Sequence, residues 1–236
     1  MTTPSRADLF AAYALPGRDA VRVRVNFVES ADGAVTLGGR SGALGGTTDR
    51  AVMQVLRTMA DVVVIGAGTM RAEGYGGVEL GAEDAAWRPD RGLPPQPRMA
   101  VVSRALDLDP GHPFFADAVV RPVVVTCAAA PPERRAALER VADVMVCGVD
   151  TVVLREMLAA FAARALTQVL CEGGPHLFGA LLDAGLVDEV CVTVAPRFVG
   201  GTAGRIVQGA PEADRRFALA GSFADDDGFV FLRYAR

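Results

Sequence analysis

Two segments of this chain share the same order of structure signals: an apolar, β-branched run, a glycine-rich turn and a helical pattern. The glycines are Gly66 and Gly68 in the first segment and Gly173 and Gly174 in the second. A sharp strand-to-helix turn requires glycine for structural reasons. It also presents unpaired N–H groups and the positive end of a helix dipole, which suits a phosphate. The two units therefore predict a dinucleotide-binding α/β fold, while a purely structural role of the glycines stays open.

Strand-length and helix-length patterns alternate through the chain. The strand patterns cover residues 21–27, 98–102, 123–127, 144–147, 168–171 and 189–194, and the helical patterns cover residues 132–141, 151–164 and 175–184. This alternation is typical of a largely parallel sheet with helices on both faces, which is a three-layer α/β sandwich. The last two strand patterns, 216–223 and 229–234, flank an Asp-rich turn and predict an antiparallel hairpin at one edge. The sheet is therefore expected to be mixed and mostly parallel.

The length of 236 residues and the hydrophobic share of 51% allow one large core. No repeat or low-complexity linker divides the chain, so residues 21–236 are expected to form a single domain after an N-terminal extension of residues 1–20. Residues 81–97 are polar and rich in proline, which predicts a long surface loop. Because this loop follows the first glycine turn, it is a candidate to cover a substrate.

Composition argues against several classes of function. A net charge of −4 with interspersed signs provides no basic stripe for nucleic acid. The apolar runs are too short to cross a membrane and the N-terminus lacks a signal-peptide pattern, so a cytoplasmic protein is expected. Four isolated cysteines and two histidines offer no metal-ligand spacing, which predicts small core residues and no metal site. The cysteines are Cys127, Cys147, Cys171 and Cys191.

A series of short motifs occurs in a specific order. They are Ser30-Ala31-Asp32-Gly33, Leu56-Arg57-x-x-Ala60-Asp61, the first glycine turn, Val102-Ser103-Arg104, Glu172-Gly173-Gly174, Leu186-Val187-Asp188-Glu189 and Ala195-Pro196. This order, over residues 21–234, resembles the reductase domain of bacterial riboflavin biosynthesis, which has the dihydrofolate reductase-like fold. The resemblance implies an NADPH-dependent oxidoreductase that acts on a pyrimidine-derived small molecule. The acceptor that it implies is 5-amino-6-(5-phosphoribosylamino)uracil, whose ribose becomes a ribityl chain.

The resemblance also implies a homodimer and a set of cofactor residues. A possible contributor to the dimer is an apolar edge formed by Val190, Val192 and Val194. The implied cofactor residues are Gly66, Gly68, Thr69, Ser103, Arg104, Gly173 and Gly174. The glycines and the threonine are expected at the pyrophosphate and the nicotinamide. Ser103 and Arg104 are expected at the adenosine 2′-phosphate, where a hydroxyl and a guanidinium suit a dianion and favour NADPH over NADH.

Some of the residues on the substrate side of the implied site depart from the family pattern. Glu172 is expected nearest the reacting centre, with Asp49 as the second catalytic candidate, and the implied substrate contacts are Asn26, Ser30, Arg57 and Glu73. Asn26 stands where the family commonly has lysine, and the family's Leu-Thr-x-Arg stretch does not follow the first glycine turn. A substrate phosphate would then need other cations, for which Arg57, Arg71 and Arg197 are candidates.

Two alternatives to this function stay open. In dihydrofolate reductases an acid early in the helix after the first strand binds the pterin, and Asp49 is suitably placed. Reduction of dihydrofolate or of another pterin is therefore the second candidate. Asp49 also has a structural explanation, as a first-turn acid in a helix capped by a threonine. The third candidate is a non-catalytic dinucleotide-binding module.

Overall fold

The computed structural model describes residues 3–15 and 17–236. Its helices are α1 (Arg6–Ala12), α2 (Thr47–Met59), α3 (Ala67–Glu73), α4 (Ala82–Trp87), α5 (Pro113–Ala116), α6 (Pro132–Leu138), α7 (Leu154–Ala162) and α8 (Pro175–Asp183), and a 3-10 turn covers Pro89–Arg91. Its strands are β1 (Arg22–Ser30), β2 (Val62–Gly66), β3 (Arg98–Val102), β4 (Val123–Thr126), β5 (Asp143–Val146), β6 (Gln168–Cys171), β7 (Glu189–Ala195), β8 (Ala218–Ala224) and β9 (Val230–Ala235). Each strand or helix range that the sequence predicts therefore corresponds to an observed element, and the predicted and observed ends differ by a few residues at most.

The nine strands of the described residues form one sheet in the order β5-β4-β3-β2-β6-β1-β7-β9-β8. Strands β1 to β7 are parallel wherever they pair with one another, whereas β9 is antiparallel to β7 and to β8. The predicted mixed sheet with an antiparallel C-terminal hairpin is thus confirmed. Because β1, β2, β3 and β6 run in the same direction, their carboxyl ends meet at one edge of the sheet, where α/β proteins commonly bind ligands.

Side chains of the central strands alternate between two apolar layers. In β2, Val63 and Ile65 belong to the core on the side of α1 and α2, whereas Val62 and Val64 belong to the core on the side of α7 and α8. All four side chains are fully buried. Helices cover both faces of the sheet, so its central strands are continuous runs of β-branched residues. The predicted three-layer sandwich is confirmed.

The segment that precedes β1 takes part in the first of these layers. Leu9 of α1 is 2% exposed, and Tyr13, the C-cap residue of this helix, is 3% exposed. Arg6 pairs with Asp84 of α4, with 2.5 Å between Nη2 and Oδ1. Helix α1 therefore covers the sheet together with α2 and α4.

Residues 81–97 lie mostly at the surface, as predicted, but they are not an irregular loop that covers a substrate. They contain α4 and the 3-10 turn, and Arg88 between these two is fully buried. Its guanidinium donates to the carbonyl oxygens of Thr58 (2.8 Å) and Ala60 (2.6 Å) at the end of α2, and of Pro94 (2.6 Å). These bonds hold the segment against α2, and none of its residues lines the two cavities described below. The expectation that this segment covers a substrate is therefore wrong. The contact between Arg88 and the end of α2 joins distant parts of the chain, so it leaves no pattern in the local sequence.

Two smaller expectations are also wrong. Strand β7 pairs with both β1 and β9, and Val190 and Val192 are each only 8% exposed, so they form no apolar edge. The edges of the sheet are β5 and β8. Helix α2 begins at Thr47 after the N-cap residue Gly46 and has no side-chain cap, in place of the expected threonine cap.

The four cysteines are buried and free, as expected for core residues. Within residues 3–15 and 17–236, no three His, Cys, Asp or Glu side chains are grouped in a way that could hold a metal ion. Across the same ranges, no helix combines the length and the apolar character that crossing a bilayer requires.

Candidate active site

Two adjoining cavities lie at the carboxyl ends of β1, β2, β3 and β6. We call the first the carboxylate cavity, because Asp49, Glu73 and Glu172 line it, and its volume is about 260 Å³. The second, the glycine cavity, follows the turns after β2, β3 and β6 and has a volume of about 820 Å³. Thr69 and Gly174 are among the residues that line both. A ligand in one cavity can therefore contact a ligand in the other.

The two glycine turns contact each other between these cavities. The Gly66 N–H donates to the Gly173 carbonyl oxygen at 2.9 Å, and Gly173 has a φ of +99°, which other residues rarely adopt. A Cβ on Gly174 would lie 2.5 Å from Thr69 Oγ1. The Gly173–Gly174 peptide bond is cis. At Gly173 and Gly174 the structural explanation of glycine therefore holds in full.

Gly68 differs from the other turn glycines. It is exposed in the first turn of α3, and a Cβ built on it would meet nothing within 4 Å. Its backbone lines the glycine cavity. No packing contact therefore requires glycine at this position, whereas close approach of a ligand to the backbone would.

Most of the expected cofactor residues line the glycine cavity together. They are Gly66, Gly68, Thr69, Ser103, Arg104 and Gly174, whereas Gly173 lines the carboxylate cavity. Ser103 follows β3 and is 6% exposed, and its N–H donates to the Val125 carbonyl oxygen at 2.9 Å. Arg104 is exposed and, among the described residues, has no carboxylate within ion-pair distance. A serine and an arginine without a carboxylate partner among the described residues thus line this cavity next to each other in sequence.

Glu172 is held by three hydrogen bonds from two side chains. Arg57 binds it through both carboxylate oxygens, with Nε–Oε1 at 2.6 Å and Nη2–Oε2 at 2.7 Å, and the Tyr75 hydroxyl donates to Oε2 at 2.8 Å. The side chains of Glu172 and Arg57 are only 3% and 11% exposed. This arrangement makes Glu172 a fixed hydrogen-bond acceptor in the cavity wall.

The partners of Glu172 keep their protons. Burial alone would lower the pKa of Arg57, but the charge and hydrogen bonds of Glu172 outweigh it and raise that pKa. Burial, and then the charge of Glu172, raise the pKa of Tyr75 well above its usual value. Neither group therefore titrates in the physiological range.

Asp49 has a different environment in the same cavity. It lies in the first turn of α2, partly buried, and burial raises the pKa of its carboxyl group. A hydrogen bond with Thr193 and the charge of Arg50 oppose this rise without cancelling it. Asp49 is thus an acid that holds its proton to a higher pH than an ordinary aspartate does.

The expected substrate contacts divide between the cavity wall and the layer behind it. Asn26 and Glu73 line the carboxylate cavity; Asn26 Oδ1 is buried with no hydrogen-bond partner in the described structure, and Glu73 accepts a bond from the Ser41 N–H at 2.7 Å. Ser30 and Arg57 lie behind this wall. Ser30 is 1% exposed, and its hydroxyl contacts Asp32 and accepts a hydrogen bond from the Ala34 N–H at 2.9 Å.

The structure also adds residues that sequence reasoning missed. Arg50, Met53 and Tyr75 line the carboxylate cavity. Met53 lies four positions after Asp49, so the helical period of α2 could have placed it on the same side, whereas this period does not predict the position of Arg50, one residue after Asp49. Tyr75 follows α3 and reaches Glu172 only through the tertiary fold, for which the sequence holds no signal.

Comparison with known proteins agrees with this geometry. The family model described as the RibD C-terminal domain matches residues 21–231. The chain belongs to this family. A 2,5-diamino-6-ribosylamino-4(3H)-pyrimidinone 5′-phosphate reductase of Methanothermobacter thermautotrophicus is 30% identical over 179 residues, which is 76% of this chain and 79% of the relative. The riboflavin biosynthesis protein RibD of Mycobacterium tuberculosis is 29% identical over 175 residues, 71% of this chain but 42% of that protein.

Solved structures give the same result for the fold. A pyrimidine reductase-like protein from Corynebacterium diphtheriae superposes with a TM-score of 0.86 and 28% identity, covering 100% of this chain and 98% of that one. RibD of Acinetobacter baumannii, at 21% identity, shares the fold with a TM-score of 0.71 over 92% of this chain and 58% of its own. The family and the dihydrofolate reductase-like fold predicted from the motifs are confirmed, and the pyrimidine reductase expected from the sequence agrees with the names of these relatives.

The buried ion pair between Arg57 and Glu172 leads to a testable prediction. Arg57→Leu leaves a buried carboxylate without its cation and should lower the free energy of unfolding by about 3–5 kcal/mol. Tyr75→Phe removes one hydrogen bond to a charged group and should lower it by about 1.5–3 kcal/mol. Urea unfolding measures both. The control is Arg216→Leu, which removes an exposed arginine from a surface pair with Asp214; equal losses for Arg57→Leu and this control would contradict the prediction.

Proposed function

We propose that this chain is an NADPH-dependent reductase of 5-amino-6-(5-phosphoribosylamino)uracil or its close phosphoribosylaminopyrimidine relatives. The observation that carries the proposal is the pair of adjoining cavities, which share Thr69 and Gly174. One cavity has the residues that suit a dinucleotide, and the other is lined by acids that suit the N–H groups of a pyrimidine ring. When bound, NADPH would supply the hydride for the ribose carbon attached to the ring amine.

The glycine cavity fits the cofactor on its own features. Because Gly68 has no side chain, a pyrophosphate can approach its backbone closely. No packing contact within the described structure gives another reason for glycine there. Ser103 and Arg104 lie at one end, and a guanidinium without a carboxylate partner suits the adenosine 2′-phosphate. These two residues are the reason to prefer NADPH over NADH.

The cofactor preference can be measured directly. Wild type should bind NADPH about ten- to a hundredfold more tightly than NADH, because a charged hydrogen bond is worth about 1.5–3 kcal/mol. Arg104→Ala should lose most of this preference and keep its NADH affinity. Fluorescence titration with both cofactors provides the constants. Arg140→Ala, at an exposed arginine outside both cavities, should behave as wild type, and equal wild-type affinities for the two cofactors would refute the assignment.

The two acids of the carboxylate cavity have separate roles in this proposal. Glu172 is fixed by Arg57 and Tyr75, so it is suited to accept hydrogen bonds from the ring and to orient it. Asp49 has the raised pKa, so it is suited to hold a proton for the nitrogen or oxygen that gains one when the hydride is transferred. We therefore assign proton supply to Asp49 and substrate orientation to Glu172.

The second candidate, reduction of dihydrofolate or another pterin, rests on the same Asp49. Its partly buried carboxyl group in the first turn of α2 is also suited to the donor edge of a pterin. Oxidation of NADPH with the phosphoribosylaminopyrimidine and with dihydrofolate, assayed side by side, distinguishes the two functions. Binding of NADPH without turnover of either acceptor would favour the non-catalytic module.

The role of Asp49 predicts a specific pH dependence. The protonated form is lost as the pH rises through the raised pKa, so kcat/KM for the accepted substrate should fall on the alkaline side of that pKa. Asp49→Asn should reduce kcat/KM about tenfold or more and abolish this limb. Because ionised Asp49 is disfavoured by burial, the variant should keep its thermal stability at neutral pH. A full rate in Asp49→Asn, or an unchanged pH profile, would exclude the proton role.

We assign the binding of the substrate phosphate to Arg50, because its guanidinium forms no ion pair with another described residue. Arg50 lines the carboxylate cavity and has no ion-pair partner among the described residues. The cations suggested by the sequence are engaged elsewhere. Arg57 binds Glu172, Arg71 donates to the Asp107 carbonyl oxygen on the glycine-cavity side, and Arg197 donates to the Ala43 carbonyl oxygen.

This assignment predicts a change in KM that depends on the phosphate. Arg50→Gln should raise KM for the phosphorylated pyrimidine about tenfold or more, because it removes a charged hydrogen bond, and leave kcat nearly unchanged. The dephosphorylated ribosylaminopyrimidine should show no difference between wild type and variant. Steady-state kinetics with both substrates provide the comparison, and an equal effect on both would place the phosphate elsewhere.

The remaining expectations from the sequence belong to the same proposal. We propose that residues 21–236 act as a single domain with residues 1–20 as an N-terminal extension, and that the protein is a cytoplasmic homodimer. Its partner is a heterocyclic small molecule, without nucleic acid, membrane or metal.

A further inference from the structure

Two loops on the cavity side of the sheet are joined by backbone hydrogen bonds. The first loop covers residues 31–46 after β1, and the second covers residues 196–208 after β7. The Ala31 N–H donates to the Arg197 carbonyl oxygen at 2.8 Å, and the Val35 N–H donates to the Gly204 carbonyl oxygen at 3.3 Å. The two loops therefore form one layer over the ends of the strands.

The carboxylate of Asp32 in the first loop binds the second loop. It accepts hydrogen bonds from the N–H groups of Val199 (3.1 Å) and Gly200 (2.7 Å) in the second loop and from the Ser30 hydroxyl at the end of β1. These bonds, that of Ser30 first, lower the pKa of Asp32 to about 2. Asp32 is therefore ionised at any working pH and binds across both loops.

Both loops supply walls of the cavities. Val35 and Thr36 of the first loop line both cavities, and Ser41 of this loop lines the carboxylate cavity. Gly204 and Gln208 of the second loop line the glycine cavity. The Gln208 N–H also donates to the Pro175 carbonyl oxygen at the start of α8, at 3.1 Å. A displacement of the first loop would therefore change the walls of both cavities, and a displacement of the second loop would change the wall of the glycine cavity and the contact that holds Val35.

We infer that Asp32 is a positioning residue that couples the two ligand sites: by binding the second loop, it holds Val35 and Thr36 in the wall that the two cavities share. This inference rests on the proposed function, because it takes the glycine cavity as the cofactor site and the carboxylate cavity as the pyrimidine site. Asp32 lines neither cavity, so it acts on the ligands only through the loops.

The experiment compares Asp32→Asn with wild type and with Asp150→Asn, the same chemical change at an exposed aspartate outside both loops and both cavities. The variant should raise KM for NADPH and for the pyrimidine about threefold each, because the contacts that Asp32 makes with the second loop are exposed to solvent, with a much smaller change in kcat. Affinity for NADP⁺, measured with and without the pyrimidine, reports the coupling directly, since the oxidised cofactor allows no turnover.

In wild type the pyrimidine should tighten NADP⁺ binding about fivefold or more, and in Asp32→Asn this factor should fall towards one. A merely structural role of Asp32 would lower the melting temperature and leave the coupling factor unchanged, which would overturn the inference. A rise of only one KM, or no rise, would overturn it as well. A wild-type chain that binds NADP⁺ but turns over no acceptor contradicts the proposed function instead, and comparing NADP⁺ affinity in the variants then still tests the role of Asp32.

Discussion

The buried ion pair between Arg57 and Glu172 joins the parts of the structure on which the site depends. Arg57 lies in the last turn of α2, the helix that also carries Asp49 and Arg50. Glu172 follows β6 and precedes the Gly173–Gly174 turn. Because a buried charge without its partner is strongly destabilising, this pair holds the helix and the turn in one arrangement.

This pair also explains why two neighbouring acids have different chemistry. Glu172 is bound by Arg57 and Tyr75, whereas Asp49 is partly buried without a cation within ion-pair distance in the described structure. Burial therefore acts on Asp49 without full compensation and favours its neutral form. One cavity thus contains a fixed hydrogen-bond acceptor and a carboxyl group whose pKa is raised.

Most of the fold could be predicted because its signals are local. The strand runs, the glycine turns and the C-terminal hairpin all lie within windows of a few residues, and their hydrophobic periods are those of the structures they form. The expected cofactor residues that line the glycine cavity could be found for the same reason, since they lie at or within a few residues of the carboxyl ends of parallel strands. Residues 81–97 were mispredicted because Arg88 binds the end of α2, and a contact with a remote segment leaves no pattern in its own surroundings.

The sequence by itself determined the three-layer architecture, the family and the two glycine turns, because patterning and motif order are properties of neighbouring residues. Only the tertiary structure decided which side chains are free to act. It paired Arg57 with Glu172, placed Arg57 and Ser30 behind the residues that line the cavity, and left Arg50 among those residues. The physical reason is that hydrogen bonds and burial between distant segments set the availability and the pKa of a polar group, and these exist only once the strands and helices have packed together.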